Sequence, residues 1–354
     1  MALYNFYSPC HISALSLFLS LFPSSTYAAS NPDSIVRTVF EFPVGTWIEN
    51  LGVRSNGDLL LTRLDVPELD LLNPFVSNPQ PVTPHIFPQV TALTGIAEIS
   101  PDSWALGAGN FSFDTIPGGT LGSWTVWNAD FLSTTSNDAT FKKIADVSEA
   151  LTIDGLCNLP ETSEPENVLV GDLEEGVIRR VETATGRSTV VVNNSLTAAG
   201  DDPLFHGSGV NSIHVRDSIL YFTNTFLNVF AQMPIKSDGT PAGEPAVITK
   251  VDKPTTEFYF DDFTFSTDGN FAFLTTGSGN SILRVPLDGS SDGEIVAGNF
   301  NSAAIAEPTS CQFGRTAQDQ HILYVSTSGG LAAPVNGNTT IGAQIVAVDT
   351  SKLD

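Results

Sequence analysis

The chain has 354 residues, with 15 Lys and Arg against 39 Asp and Glu, a formal charge of −24. That balance leaves no basic surface to neutralise phosphates, so nucleic acid and anionic membranes are excluded as partners, and a neutral or cationic one is expected. With 41% hydrophobic and 15% charged residues the chain buries a sizeable core rather than staying disordered, and 3 cysteines are too few for a disulfide scaffold.

In chain order, the first element is a targeting segment. Residues 12–22 read ISALSLFLSLF, an apolar run too short to span a bilayer, and small residues follow it to Ala28 and Ala29. This predicts a signal peptide over residues 1–28, a secretory or extracellular location, and one mature domain over 29–354. The run lacks the usual Lys or Arg ahead of it. No later stretch has the length and apolarity of a membrane span. Sequons at Asn110, Asn193 and Asn338 predict glycosylation. Removing the leader removes Cys10 and leaves Cys157 and Cys311.

Residues 34–43, SIVRTVFEFP, alternate as a strand does. After them one unit recurs six times at a spacing of roughly fifty residues: a polar residue, an inner strand, a tight turn, and a second strand ending in small or polar residues. The openings are Glu49 (ENLGVRSNGDLLLT), Thr94 (TGIAEISPDSWALGAGN), Asp154 (DGLCNLP, then VLVGD), Asn211 (NSIHVRDSILYFTNT), Asp261 (DDFTFSTDGNFAFLTT) and Pro308-Thr309 (PTSCQFG, then HILYVSTS). Short β-branched and aromatic runs broken by Asn-Gly and Asp-Gly turns are strand and hairpin signals, and no long helical periodicity competes with them. The prediction is all-β, a six-bladed β-propeller of four-stranded blades. The last unit supplies about three strands, so the N-terminal strand is expected to complete the last blade and remove both sheet edges.

In a propeller the inner strands line the axis, so Glu49, Thr94, Asp154, Asn211, Asp261 and Pro308 or Thr309 should ring one mouth. The ends of the second strands, Arg63, Asn110, Asp172, Asn224, Thr276 and Thr327, should form a wider ring around it. Carboxylates and amides at this density suit a hard divalent cation such as Ca²⁺ or Mg²⁺. Asp and Asn also open strands simply because they shape turns. Aromatic walls can come from Trp47, Phe111, Trp124, Trp127, Phe226 and Tyr259, with outward packing between blades as the alternative for Trp124 and Trp127. Arg63 is the first choice of hydrogen-bond donor, followed by Asn110 and Asn224, and a surface ion pair is the alternative for Arg63.

The histidines have no metal spacing. His206, in FHGSG before unit four, is the general-base candidate for a hydrolase, whereas His214 is expected to pack between strands. Cys157 and Cys311 share one offset in units three and six, which stand opposite each other in a six-fold ring. A bridge across the axis and two buried free thiols both remain open.

The chain resembles the regucalcin and gluconolactonase superfamily over essentially its whole mature length, most clearly in unit six (PTSCQFG, then HILYVSTS) and unit five (DDFTFSTDG). That resemblance implies a divalent metal on Glu49, Asn211 and Asp261 and a substrate contact at Asp154. The chain departs from the pattern at Ile153, where the family has Asn, and at Phe260-Asp261-Asp262, where it has Pro-Asp-Gly. WIENL at residues 47–51, VRSNGDLLLT, DGLCNLP and VLVGD resemble secreted fungal members, among them the hetero-Diels-Alderases of tropolonic sesquiterpenoid pathways. This second resemblance implies an enzyme that joins a tropolone-derived ortho-quinone methide to a humulene-type alkene without a cofactor. Its partner would be a hydrophobic small molecule bound by Trp47, Glu49, Phe111, Asp154, Asn211, Tyr259 and Asp261. The alternatives are a divalent-metal-dependent lactonase or esterase and a non-enzymatic binding propeller. The oligomeric state is not legible in the chain.

Overall fold

The structure, a computed structural model, describes residues 32–115, 118–159, 167–200, 207–251 and 258–353. The signal-peptide expectation, Cys10 and His206 fall outside the described residues. Among the described residues no helix is long and apolar enough to cross a membrane.

The strands form six antiparallel four-stranded sheets, each a blade, in a ring: a six-bladed β-propeller. The inner strands are Ile48–Val53, Ala92–Ser100, Ile153–Leu159, Val210–Arg216, Phe263–Phe265 and Pro308–Phe313, which number the blades 1 to 6. Burial falls outward within each blade. In blade 3 the inner and second strands are buried almost throughout, whereas the outermost, Ser188–Asn193, is largely exposed. Side chains of each sheet pack against the next blade, as Trp124 and Val126 of blade 2 do against Val168 and Val170 of blade 3.

Closure follows the expected route. Val36–Glu41 pairs antiparallel with Gln344–Asp349, with Val36 opposite Val348 and Glu41 opposite Gln344, and so becomes the outer strand of blade 6. The first and last strands thus share one sheet, and the ring presents no open end.

Hydroxyls stitch neighbouring blades together near the axis. Thr62 Oγ1 donates to Thr94 O at 2.5 Å, Thr223 Oγ1 to Asp261 O at 2.7 Å, Thr275 Oγ1 to Thr309 O at 3.1 Å and Thr309 Oγ1 to Ile48 O at 2.6 Å. Each bond ties one blade to the next through a buried backbone carbonyl that would otherwise lack this partner.

The two cysteines do not bridge the axis. Both are buried free thiols. Cys157 packs toward Ile213 and Phe222 of blade 4, and Cys311 toward Phe273 and Ile282 of blade 5, with its thiol donating to Phe273 O. Their shared offset places both side chains between blades, not in the channel, because strand side chains alternate and the axis-facing position is taken by the opening residue.

Two outcomes are expected. Thiol titration should leave Cys157 and Cys311 unreactive in the native protein and expose both on unfolding, with no mass change on reduction. Thr62→Val, which keeps the shape and removes the hydroxyl, should cost about 1–3 kcal/mol, read as a lower denaturant midpoint with unchanged slope.

Candidate functional site at the axial mouth

The site begins with a backbone irregularity. Register shifts fall between Ile48 and Asn50, Leu93 and Ile96, Ile153 and Leu156, Val210 and Ile213, and Pro308 and Ser310. Glu49, Thr94, Asp154, Asn211 and Thr309 therefore each sit in a bulge at the start of an inner strand. A bulge re-aims a side chain that regular pairing would place elsewhere. In blade 5, Asp261 reaches the same place just ahead of a three-residue inner strand, with its N–H on Thr275 O.

Glu49, Asp154, Asn211 and Asp261 line one cavity of about 780 Å³ at this mouth, together with Trp47, Phe111, Phe113, Tyr259, Ser278, Asn280 and Glu307. All four ring residues are less than a tenth exposed. They are hydrogen-bonded among themselves: the Trp47 indole N–H donates to Glu49 at 2.5 Å, Glu49 and Asp154 share a hydrogen bond, and the Asn211 side chain bonds to Asp261. Just below, Asp262 accepts from the Ser212 and Ser310 hydroxyls of the flanking blades.

Burial, with no Lys, Arg or His among the described lining residues, shifts these acids upward. Burial pushes the Glu49 carboxyl to about 7, with Asp262 and Glu307 adding repulsion and the Trp47 N–H working against the shift. Burial also raises Asp154 and Asp261 well above the ordinary carboxylate range, each further raised by Glu49. Burial thus favours the protonated forms of the acids at the mouth.

The other side of the cavity is aromatic. Trp47 and Phe113 rings lie 4.8 Å apart and Phe111 and Phe113 5.0 Å apart in an edge-to-face arrangement. Glu174 holds the segment that carries them, accepting from the N–H groups of Gly118 and Gly119 and from the Thr152 hydroxyl. Glu307 fastens the wall between blades 5 and 6. Its carboxylate takes the Ser328 hydroxyl, the Ala332 N–H at 3.1 Å and the Tyr259 hydroxyl at 3.4 Å. Its own N–H donates to Asn280 Oδ1 at 2.8 Å. Glu307 and Asn280 both have left-handed backbones, with φ 52° and 53°, conformations that persist where surrounding bonds over-determine them.

Several expected residues lie elsewhere. Arg63 does not line the cavity: its guanidinium is occupied by Asp65 at 2.5 Å and Asp70 at 3.3 Å. Asn224 is fully buried and its amide donates to Leu196 O and Ala198 O, so it fastens a loop. Asn110 does not line the cavity and stands two residues beyond the position equivalent to Arg63, which in blade 2 is Ala108, opposite Leu93. Trp124 is fully buried between blades, its indole on Leu151 O at 2.7 Å and its ring on Gly109, where a Cβ would sit 2.4 Å away. Trp127 packs edge-on against Phe87, and Phe226 covers Gly200 rather than the cavity. His214 packs edge-on against Phe263, and its imidazole comes within 3.5 Å of Asp262. Of the sequons, Asn193 and Asn338 are exposed and Asn110 is half-buried.

Phe113, Ser278, Asn280 and Glu307 were not singled out from sequence. Phe113 had a signal, two residues after Phe111 in FSF, and Glu307 stands directly before the Pro308 opening. Ser278 and Asn280 carry no local signal beyond a Gly-Ser-Gly-Asn turn.

The raised Glu49 carboxyl keeps a proton that the unfolded chain releases. Its contribution to stability is full below the ordinary value of 4.5 and is lost as pH rises to about 7. Asp154 and Asp261 act in the same sense. Urea unfolding from about pH 5 to about pH 8 should show stability falling, and Glu49→Gln should flatten the fall.

No family model matches the chain. A candidate hetero-Diels-Alderase from Phoma sp is 26% identical over 349 residues, covering 89% of this chain and 94% of that one. A second candidate hetero-Diels-Alderase, from Sarocladium schorii, is 27% identical over 342 residues, covering 89% of this chain and 83% of its own. Among solved structures, regucalcin, a calcium-binding protein from Agrobacterium tumefaciens, superposes with a TM-score of 0.57 at 15% identity, covering 88% of this chain and 94% of that one. A luciferin-regenerating enzyme gives 0.58 at 11% identity with the same coverage. The chain thus has the six-bladed propeller fold that regucalcin shares, and in sequence it is similar, over nearly its full length, to two proteins named for hetero-Diels-Alder chemistry.

Proposed function

We propose that the protein is a cyclase of the hetero-Diels-Alder type, joining a tropolone-derived ortho-quinone methide to a humulene-type alkene in the axial cavity. One observation carries this reading. The cavity of about 780 Å³ pairs an aromatic wall of Trp47, Phe111 and Phe113 with a floor of buried Glu49, Asp154 and Asp261. The sequence similarity to proteins of that name supports it.

The chemistry needs no nucleophile. In the cycloaddition a C–C and a C–O bond form as three π bonds become one, and no proton is gained or lost. The protein has to hold the heterodiene against the alkene, keep water from adding to the quinone methide, and stabilise negative charge growing on the heterodiene oxygen. Positioning supplies at most ~7–11 kcal/mol in well-oriented cases. The apolar wall suits the alkene. On the floor, Asp154 and Trp47 both bond to Glu49, while Asp261 receives the Asn211 side chain. A neutral Asp261 has its own O–H left to give the substrate oxygen, as a protonated acid does in other buried sites.

A second reading, a metal-dependent lactonase or esterase, has its own support in the donor set: two carboxyls and an amide oxygen on Glu49, Asn211 and Asp261 have the right chemistry for Ca²⁺ or Mg²⁺. In this structure the three side chains are instead hydrogen-bonded, Glu49 to Trp47 and Asp154, and Asn211 to Asp261, bonds that an ion at this place would have to replace.

The test is a pair of assays on one preparation with and without chelator. Stereoselective cycloadduct formation indifferent to chelator is expected, with Asp261→Ala lowering the rate by roughly 10²–10³ and Asp261→Asn, which keeps a donor, by less. Lactone hydrolysis abolished by chelator would replace this reading with the second.

A further inference from the structure

We propose that Ser278 is a substrate-binding residue of the axial cavity, its hydroxyl donating a hydrogen bond to a carbonyl or enolate oxygen of the bound ring. Ser278 lines the cavity from the turn Gly277–Gly279, which joins the second and third strands of blade 5. It is 3% exposed, and its Oγ has no partner among the described protein atoms. Buried polar groups in folded proteins are nearly always paired, and one left over at a cavity wall calls for a partner that arrives from outside.

The turn cannot easily turn the hydroxyl away. Gly277 has φ +46°, and a Cβ there would lie 2.2 Å from the Tyr259 ring, so only glycine fits beneath that ring. Asn280, at the other end, is left-handed, with its amide N–H on Phe300 O at 2.9 Å and its Oδ1 on the Glu307 N–H. Thr276, immediately before the turn, is bonded to Ser281. The backbone that carries Ser278 is therefore held in place before any ligand binds, which fixes where its hydroxyl can reach.

The neighbouring groups decide what it would bind. The cavity is rich in acceptors, with Glu49, Asp154, Asp261 and Glu307 on its lining. Apart from Ser278 and the Asp261 O–H already given to the heterodiene oxygen, its buried side-chain donors are spent: the Trp47 indole on Glu49, the Asn211 side chain on Asp261, the Asn280 amide on Phe300 O and the Thr225 hydroxyl on Phe260 O. A ligand hydroxyl finds many partners here, but a ligand carbonyl oxygen needs a donor, and Ser278 provides one.

This inference rests on the reading of the cavity as a site for an oxygenated ring, so the probe is tropolone. Calorimetric titration of the full chain is expected to show tropolone binding to the wild type and binding weaker by roughly 5- to 30-fold to Ser278→Ala. The unliganded variant should melt at or above the wild-type temperature, because an unpaired hydroxyl has been removed. A melting temperature lowered by several degrees would mean that the hydroxyl holds the fold, and would overturn the inference. Equal tropolone affinity in both proteins overturns it as well, while leaving the cyclase reading intact if the same wild type forms cycloadduct. No tropolone binding by the wild type overturns the ligand class named here, and absence of cycloadduct on the same preparation would then remove the cyclase reading too.

Discussion

The axial site depends on one repeated constraint, the bulge at the first residue of the inner strands. A regular strand alternates its side chains between the two faces of a blade, and in a propeller both faces are packed against neighbouring blades. A polar side chain in that register would be buried among Val, Leu and Phe. The bulge gives Glu49, Asp154 and Asn211 a third direction, along the channel, while the residues that follow resume regular pairing. The same irregularity leaves the backbone carbonyls near the axis to be met by hydroxyls of the adjoining blade, as Thr62 meets Thr94 O. Chemistry at the mouth and cohesion of the ring come from one local departure from the sheet.

The electrostatics follow from what is not beside the acids. Where the chain buries a guanidinium it surrounds it with acceptors: fully buried Arg54 is held by Asp102 through two nitrogens. The basic residue expected at the mouth, Arg63, is held by Asp65 and Asp70 instead. Burial and mutual repulsion raise Glu49, Asp154 and Asp261, favouring their protonated forms, because separate charges at this burial are costly. Acids shifted toward their neutral forms are compatible with an apolar ligand, which lets a strongly acidic protein keep an aromatic wall and a carboxyl floor in one space.

The rigid elements are arranged around that space in a consistent way. Glu174 fixes the aromatic segment of blade 2, and Glu307 fixes Tyr259 and the Ser328 and Ala332 backbone region of blade 6. In both cases a single carboxylate gathers several N–H or O–H donors. Such charge-assisted bonds are the stronger kind, and they hold loops that lack strand partners of their own.

Much of this was determined by the sequence alone. Six recurrences of a polar opening, a β-branched run and a tight turn specify six blades, since each unit exposes faces that only its neighbours can cover, and the spare alternating strand at residues 34–43 specifies the closure. Glu49, Asp154, Asn211 and Asp261 were legible for the same reason, position in a repeat, whereas Thr94 and Thr309 hold equivalent positions without lining the cavity, the Thr309 hydroxyl being taken by Ile48 O. What only the tertiary structure decided is which of these and other residues share the cavity. Arg63, Asn110 and Asn224 were also placed by repeat position, at the ends of second strands, and Trp124 by residue type, but partners such as Asp70, Leu196 O and Leu151 O come from loops or strands whose approach no local pattern encodes. Cys157 and Cys311 share an offset in opposite units, yet the alternation of the strand turns both away from the axis. Ser278, Asn280 and Glu307 become site residues only because left-handed turns and cross-blade hydrogen bonds bring them to the mouth. Repetition fixes the frame through local covering of apolar faces, and the site's remaining members depend on long-range contacts that exist only once the ring has closed.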